Sequence, residues 1–137
     1  APGISHQREP EMNIAEYFES VKDRILTDSF VIDFKILKYV DRSNNGHMRA
    51  RVIFSDDSNL EFLEFVEQNA ENVIHLLTYS YHWSDKDDNL IRRWDNANHF
   101  PKLKNFPHHI HDGETDEVTS GALTNIFSVL DEIASKM

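Results

Sequence analysis

The 137-residue chain contains no cysteine, which excludes a disulfide framework, a thiolate metal site and a cysteine nucleophile. Glycine and proline number only four each, and there is neither an internal repeat nor a low-complexity tract. No apolar run approaches the roughly 18–20 residues that cross a bilayer. The start shows neither the basic residues nor the apolar segment of a secretory signal. These absences favour a cytoplasmic protein without membrane contact. Positive charge is also scarce: 14 Lys and Arg stand against 24 Asp and Glu, a formal net charge of -10. Such a balance argues against a surface that coats nucleic acid indiscriminately.

What the chain does have is unevenly placed. Residues 89–112 set Arg92, Arg93, Lys102 and Lys104 against Asp95 and Asp112, a balance of +2, which leaves -12 for the remainder. Six of the eight histidines lie between positions 75 and 111, and the stretch FPHHIHD (106–112) holds His108, His109 and His111. One basic, histidine-rich strip therefore interrupts an acidic protein.

Residues 1–11, with two prolines and little to bury, read as a disordered arm or an appended remnant before Met12, and 12–137 as a single domain. Asn13 followed by Glu16 predicts a capping box. Ile14, Tyr17, Phe18, Val21 and Ile25 then fall at helical spacing to about Leu26. Strands are predicted over FVIDFKILKYV (30–40), from His47 to Phe54, over LEFLEFVEQ, over VIHLLTYSYHW (73–83) and over LIRRWDNA (90–97). The second has Met48, Ala50, Val52 and Phe54 on one face, and the third is too densely apolar for clean alternation, so a bulge is an option. No element is evident from 98 to 116, and Leu123, Ile126, Phe127, Leu130 and Ile133 describe a final helix capped by Thr119 or Ser120. The expectation is an α+β fold: a mainly antiparallel sheet of about five strands with an N-terminal and a C-terminal helix packed on it.

Three readings of the histidine strip compete. As a metal site, neutral imidazoles are common zinc and copper ligands, but three on one loop lack the two-segment spacing of a defined zinc site. As a catalytic site, histidines that titrate near neutrality act as acid and base beside an arginine that stabilises charge on a phosphoryl group. Arg93 and Asp95 share one strand face and support each other. As a structural feature, each histidine caps or packs. This last reading suits His75 as a sheet or core residue, suits His47 and His6 as surface, and makes Tyr79, Tyr81, Trp83 and Trp94 core aromatics.

The string YSYHWSDKDDNLIRRWDNANHFPKLKNFPHHIH (79–111) resembles the signature of the TumE family, the toxin halves of prokaryotic toxin–antitoxin modules. The shared parts are YSYH (79–82), RWDNA (93–97), His99 with Pro101, and FPHHIH (106–111). The flanking order is similar too, including the turn SDDSNLE (55–61). One departure is visible: a doubled histidine common before the proline is His99-Phe100 here. The resemblance implies a small cytoplasmic toxin neutralised by a cognate antitoxin protein, in some modules a DNA-binding one. Complementary charge would favour a basic antitoxin segment.

Residues and resemblance together predict a toxin acting on nucleic acid, with RNA as the expected substrate and no cofactor. The expected chemistry is a metal-independent endoribonuclease. Arg93 would hold phosphate, Asp95 would orient it or a histidine, and His108 and His111 are the first candidates for acid and base. His82 and His99 are the second. Arg92, Lys102, Lys104, His109 and Tyr81 are expected substrate contacts, with His109 ranked lower for chemistry because it would alternate away from its neighbours in an extended loop. The competing expectation is a non-enzymatic toxin that blocks a replication or division protein, its histidines structural or metal-binding. Self-association into a homodimer stays open.

Overall fold

A computed structural model describes residues 12–98 and 100–137; the expected arm, residues 1–11, lies outside the described residues. Helix α1 spans Ile14–Thr27. Its start is set by the expected capping box: Glu16 N–H donates to Asn13 Oδ1 at 2.8 Å, and Asn13 N–H donates to Glu16 Oε1 at 3.0 Å. Ile14, Phe18, Val21 and Ile25 are buried, so the helical spacing became one core-facing stripe.

Seven strands follow among the described residues: β1 (Val31–Asp41), β2 (Asn45–Phe54), β3 (Asn59–Gln68), β4 (Ile74–Ser84), β5 (Leu90–Asp95), β6 (His109–Asp112) and β7 (Val118–Ser120). They form one sheet in chain order, each antiparallel to the next. The sheet thus has seven strands where about five were expected. Of the additional two, β6 comes from the segment that showed no periodicity and β7 from the residues expected to cap the last helix. β6 is only HIHD and carries one apolar side chain, Ile110, opposite Trp94. A pairing made through histidines and an aspartate leaves no hydrophobic pattern to read.

Helix α2 spans Ile126–Ser135 and closes the chain. The expected cap moves as well. Thr119 and Ser120 lie in β7, Leu123 is outside the helix and 64% exposed, and Asn125 is the N-cap, accepting from Ser128 N–H at 3.0 Å. The start is fixed by a long-range contact as well as by the cap: Ile126 N–H donates to the buried carboxylate of Glu64 at 3.0 Å. Local spacing could not reveal that bond.

Alternation sorts the sheet into two faces. Met48, Ala50, Val52, Phe54, Leu60, Phe62, Val66, Tyr79, Tyr81, Trp83 and Trp94 form one cluster with the buried stripes of both helices. Each such large side chain contributes roughly 1.5–3 kcal/mol by leaving water. β3 itself runs without an extra residue; the bulge in its pairing with β4 lies on β4, at Leu77. Among the described residues, no helix lies on the opposite face. Both edges are blunted: β1 bulges at Ile32 and Leu37, and β7 has three residues. Among the described residues, no helix is long and apolar enough to cross a membrane.

Candidate functional site on the open face of the sheet

The uncovered face acquires its chemistry from the residues between the core positions. Lys35 pairs with Arg51, Arg51 with Glu61, Glu61 with His82, His82 with Arg93, and Arg93 with His111. Paired residues in an antiparallel sheet project to the same side, so these six side chains form one row across six strands. A second row, two residues along, runs Lys38, Arg49, Leu63, Ser80, Asp95 and His109. A cleft of about 580 Å³ opens between them, lined by Arg49, Arg51, Glu61, Ser80, His82 and Arg93 among others.

Asp95 anchors the β5 end of this site. It is 6% exposed, its Oδ1 accepts Ala97 N–H at 3.0 Å and lies 2.8 Å from His109 Nε2, and its Oδ2 lies 2.8 Å from Arg93 Nε. The Arg93 Nε–H is not aimed at that oxygen and has no hydrogen-bond partner among the described residues, so the contact is an ion pair without a directed bond. His109 is almost as buried, and its Nδ1 lies 3.0 Å from Pro107 O. A carbonyl oxygen only accepts, so Nδ1 donates there and Nε2 meets the carboxylate. With both nitrogens committed, His109 is a strut that holds Asp95, and Asp95 in turn holds Arg93.

Asn96 completes the arrangement. Its Oδ1 accepts Tyr79 N–H and its Nδ2 donates to Leu77 O, both at 2.9 Å, so it ties β5 to β4 at the Leu77 bulge. The RWDNA segment therefore has a part for each residue. Arg93 faces the cleft, Trp94 faces the core, Asp95 orients, Asn96 staples, and Ala97 supplies an amide.

Arg93 is flanked by imidazoles on both neighbouring strands. His82 is held on the neutral side of its ordinary range, first by burial and then by the Arg93 charge, with Glu61 opposing and His111 adding. His111 is oriented by Asp116, whose Oδ1 lies 3.0 Å from Nε2. On β2 and β3, Glu61 bridges two cations, 3.3 Å from Arg49 and 2.9 Å from Arg51. Among the described residues, no group of three or more acidic or histidine side chains converges as a metal cradle.

The expected site residues divide between the faces. Arg93, Asp95, His82, His109 and His111 come together on the open side. His108 does not join them: its Nδ1 is 2.8 Å from Tyr79 Oη and its ring stacks on Tyr79, a core residue. Tyr81 is fully buried and donates to Glu64 at 2.5 Å. Arg92 points to the helix side, 2.6 Å from Glu132 and 3.5 Å from Asp112. Lys102 and Lys104 are exposed on the loop between β5 and β6, and His99 lies outside the described residues. His75 is a sheet residue, paired with Glu67, and not a core one: it is exposed and 3.1 Å from Asn69.

Arg49, Arg51, Glu61, Ser80 and Ser84 are cleft residues that sequence reasoning passed over. The signal existed: Arg49 and Arg51 alternate with the apolar face of β2, and Ser80 and Ser84 flank His82 between aromatics. What was lacking was the register that carries them to Arg93.

Fold and site define a class: a single antiparallel sheet, helices on one face and a polar, histidine-bearing cleft on the other. The family model described as "Toxin TumE" matches residues 20–137, and the chain belongs to this toxin family. Comparison with curated proteins and with solved structures gives no match.

Proposed function

We propose that the protein is the toxin of a type II toxin–antitoxin module and that it cleaves RNA without a metal ion, using the His82–Arg93–His111 row. One observation carries the reading: an arginine flanked by a histidine on each adjacent strand, on the face of the sheet opposite the helices. Adjacent strands lie about 5 Å apart, so the two histidines are anchored about 10 Å apart with Arg93 between them. A phosphate held over the guanidinium then has an imidazole on either side.

The chemistry balances without a cofactor. The 2′-oxygen attacks phosphorus while one imidazole takes its proton. The bond from phosphorus to the 5′-oxygen breaks while the other imidazole supplies a proton to the leaving oxygen. Products are a 2′,3′-cyclic phosphate and a 5′-hydroxyl. His82, kept neutral, suits the base, and His111 takes the part of the acid. Arg93 stabilises the charge that builds on the non-bridging oxygens, and Asp95 with His109 positions it. His108 stays outside this proposal because its imidazole is engaged with Tyr79 on the far side. The cognate antitoxin and the cytoplasmic location belong to the same proposal.

Incubation of the purified protein with RNA, with and without chelator, tests it. Equal cleavage in both, leaving 2′,3′-cyclic ends, is the expected result. Absence of cleavage from a protein that remains toxic in cells overturns the nuclease reading in favour of a toxin that acts by binding.

A further inference from the structure

Not every polar-face residue is used by that chemistry. On the rows beyond the cleft, His47 of β2 pairs with Phe65 of β3, and their rings stack with centroids 5.5 Å apart and planes 10° from parallel. Both are half-buried and both face away from the helices, so neither belongs to the hydrophobic core. They line a recess of about 280 Å³ with Lys38, Arg49 and Leu63. Arg49 and Leu63 also line the main cleft, so the two depressions adjoin.

A phenylalanine on the solvent side of a sheet gains little from folding unless something covers it. Here its neighbours are another flat ring, Leu63, two cations and, two residues along β3, Glu67. Burial, and after it the charges of Lys38, Arg42 and Arg49, hold the His47 ring on the neutral side. A neutral flat ring stacked on a phenylalanine and surrounded by cations matches the two needs of a single nucleic-acid strand: a surface for a base and positive charge for its phosphates.

We infer that His47 and Phe65 form a stacking subsite for an unpaired nucleobase, with Lys38 and Arg49 contacting the adjoining phosphates. The substrate of the open face is then single-stranded RNA. This rests on the reading of that face as an RNA surface but not on the catalytic step. Phe65 lies four residues along β3 from Glu61, which is two strands from Arg93, so the subsite is about 14 Å along and about 10 Å across from Arg93. A few nucleotides bridge that span. The paired bases of a duplex cannot present a free face there.

The test uses the full chain and a fluorescent 2′-O-methyl RNA strand, which lacks the nucleophile and therefore reports binding alone. Phe65→Leu keeps an apolar side chain without a ring, and it is expected to weaken binding of the single strand about tenfold. Binding of an abasic sugar-phosphate strand is expected to stay unchanged. Phe65→Trp restores binding, and its added emission is quenched by the single strand but not by a duplex. If Phe65→Leu melts at a lower temperature and is not folded, the quenching of the Phe65→Trp protein decides the matter alone. Equal binding by Phe65→Leu and the original protein overturns the subsite, as does an equal loss for the abasic strand or no binding by the original protein. Ring-dependent binding without cleavage of natural RNA overturns only the catalytic proposal. Cleavage of RNA that is indifferent to Phe65 overturns only the subsite.

Discussion

On the helix-covered face of the sheet, Glu64 accepts from Tyr17, Tyr81 and Ile126, Arg92 is clasped by Glu132 and Asp112, and the Trp83 indole donates to Ser58. The open face is arranged differently. Lys35, Lys38, Arg49, Arg51 and Arg93 stand among Asp33, Glu61, Glu67, Asp88 and Asp95, a local balance of charge in a chain whose formal net charge is -10. Two of those carboxylates are already engaged, Glu61 with two arginines and Asp95 with His109 and Arg93. Polar groups on the first face close upon each other, because an unpaired group there would bear the full cost of desolvation. Those on the second leave a guanidinium pointing at solvent, which is what a phosphate needs. Saturated polarity builds the fold, and unsaturated polarity builds a site.

The largest effect should come from breaking the saturated side. Glu64→Ala strands two tyrosine hydroxyls and the first amide of α2 in the core. At roughly 1–3 kcal/mol for each orphaned group, after partial relaxation, a loss of about 3–5 kcal/mol is expected in urea unfolding. Glu64→Gln should be far milder. Its carbonyl can take the Tyr81 and Ile126 donors while its amide donates to the Tyr17 oxygen.

The glutamine also tests protonation. Burial raises the Glu64 carboxyl above its ordinary value of 4.5, against the hydrogen bonds that lower it. A raised carboxyl binds a proton more readily in the fold than in the unfolded chain. Its contribution is therefore full below about pH 4.5 and declines as pH rises through the raised value. Glu64→Gln should remove that decline from a stability–pH curve. A curve of unchanged slope would mean that the carboxyl is ionised in the fold.

How much of this was legible in the sequence follows the same division. α1, with its capping box, and the alternating strands β2 and β4 were readable because burial on one face imposes a period. β6 was not, since histidines and an aspartate make its pairing. Glu64 was invisible: a carboxylate among LEFLEF reads as a surface residue, and only Tyr17, 47 positions away, and Ile126, 62 away, explain it. In the site, Arg93 and Asp95 could be placed together by their spacing of two. The partition of His108 from His109 and His111 could not, because it depends on where β6 begins. Cleft residues of β2 and β3 needed the register of three hairpins.

The comparison can be sharpened to two adjacent residues. Arg92 and Arg93 share a charge and a strand and differ only in the face they occupy. Arg93→Ala should leave the unfolding midpoint nearly unchanged and lower RNA cleavage about 10²–10³-fold, the scale for losing one preorganised stabiliser of transition-state charge. A drop in stability without loss of cleavage would assign Arg93 to the fold and overturn its part in the proposal. Arg92→Ala should do the reverse and more gently. Its partners Glu132 and Asp112 are about one-third exposed, and the side chain also lies over the Trp94 ring with its guanidinium carbon 5.9 Å from the centroid. Solvent screens such a pair, so the expected cost is about 1 kcal/mol of stability, seen as a small shift in the urea midpoint. Cleavage per folded molecule should be unaltered. A fall in cleavage comparable to that of Arg93→Ala would mean that the β5–α2 contact, not the open face alone, sets the geometry of Arg93.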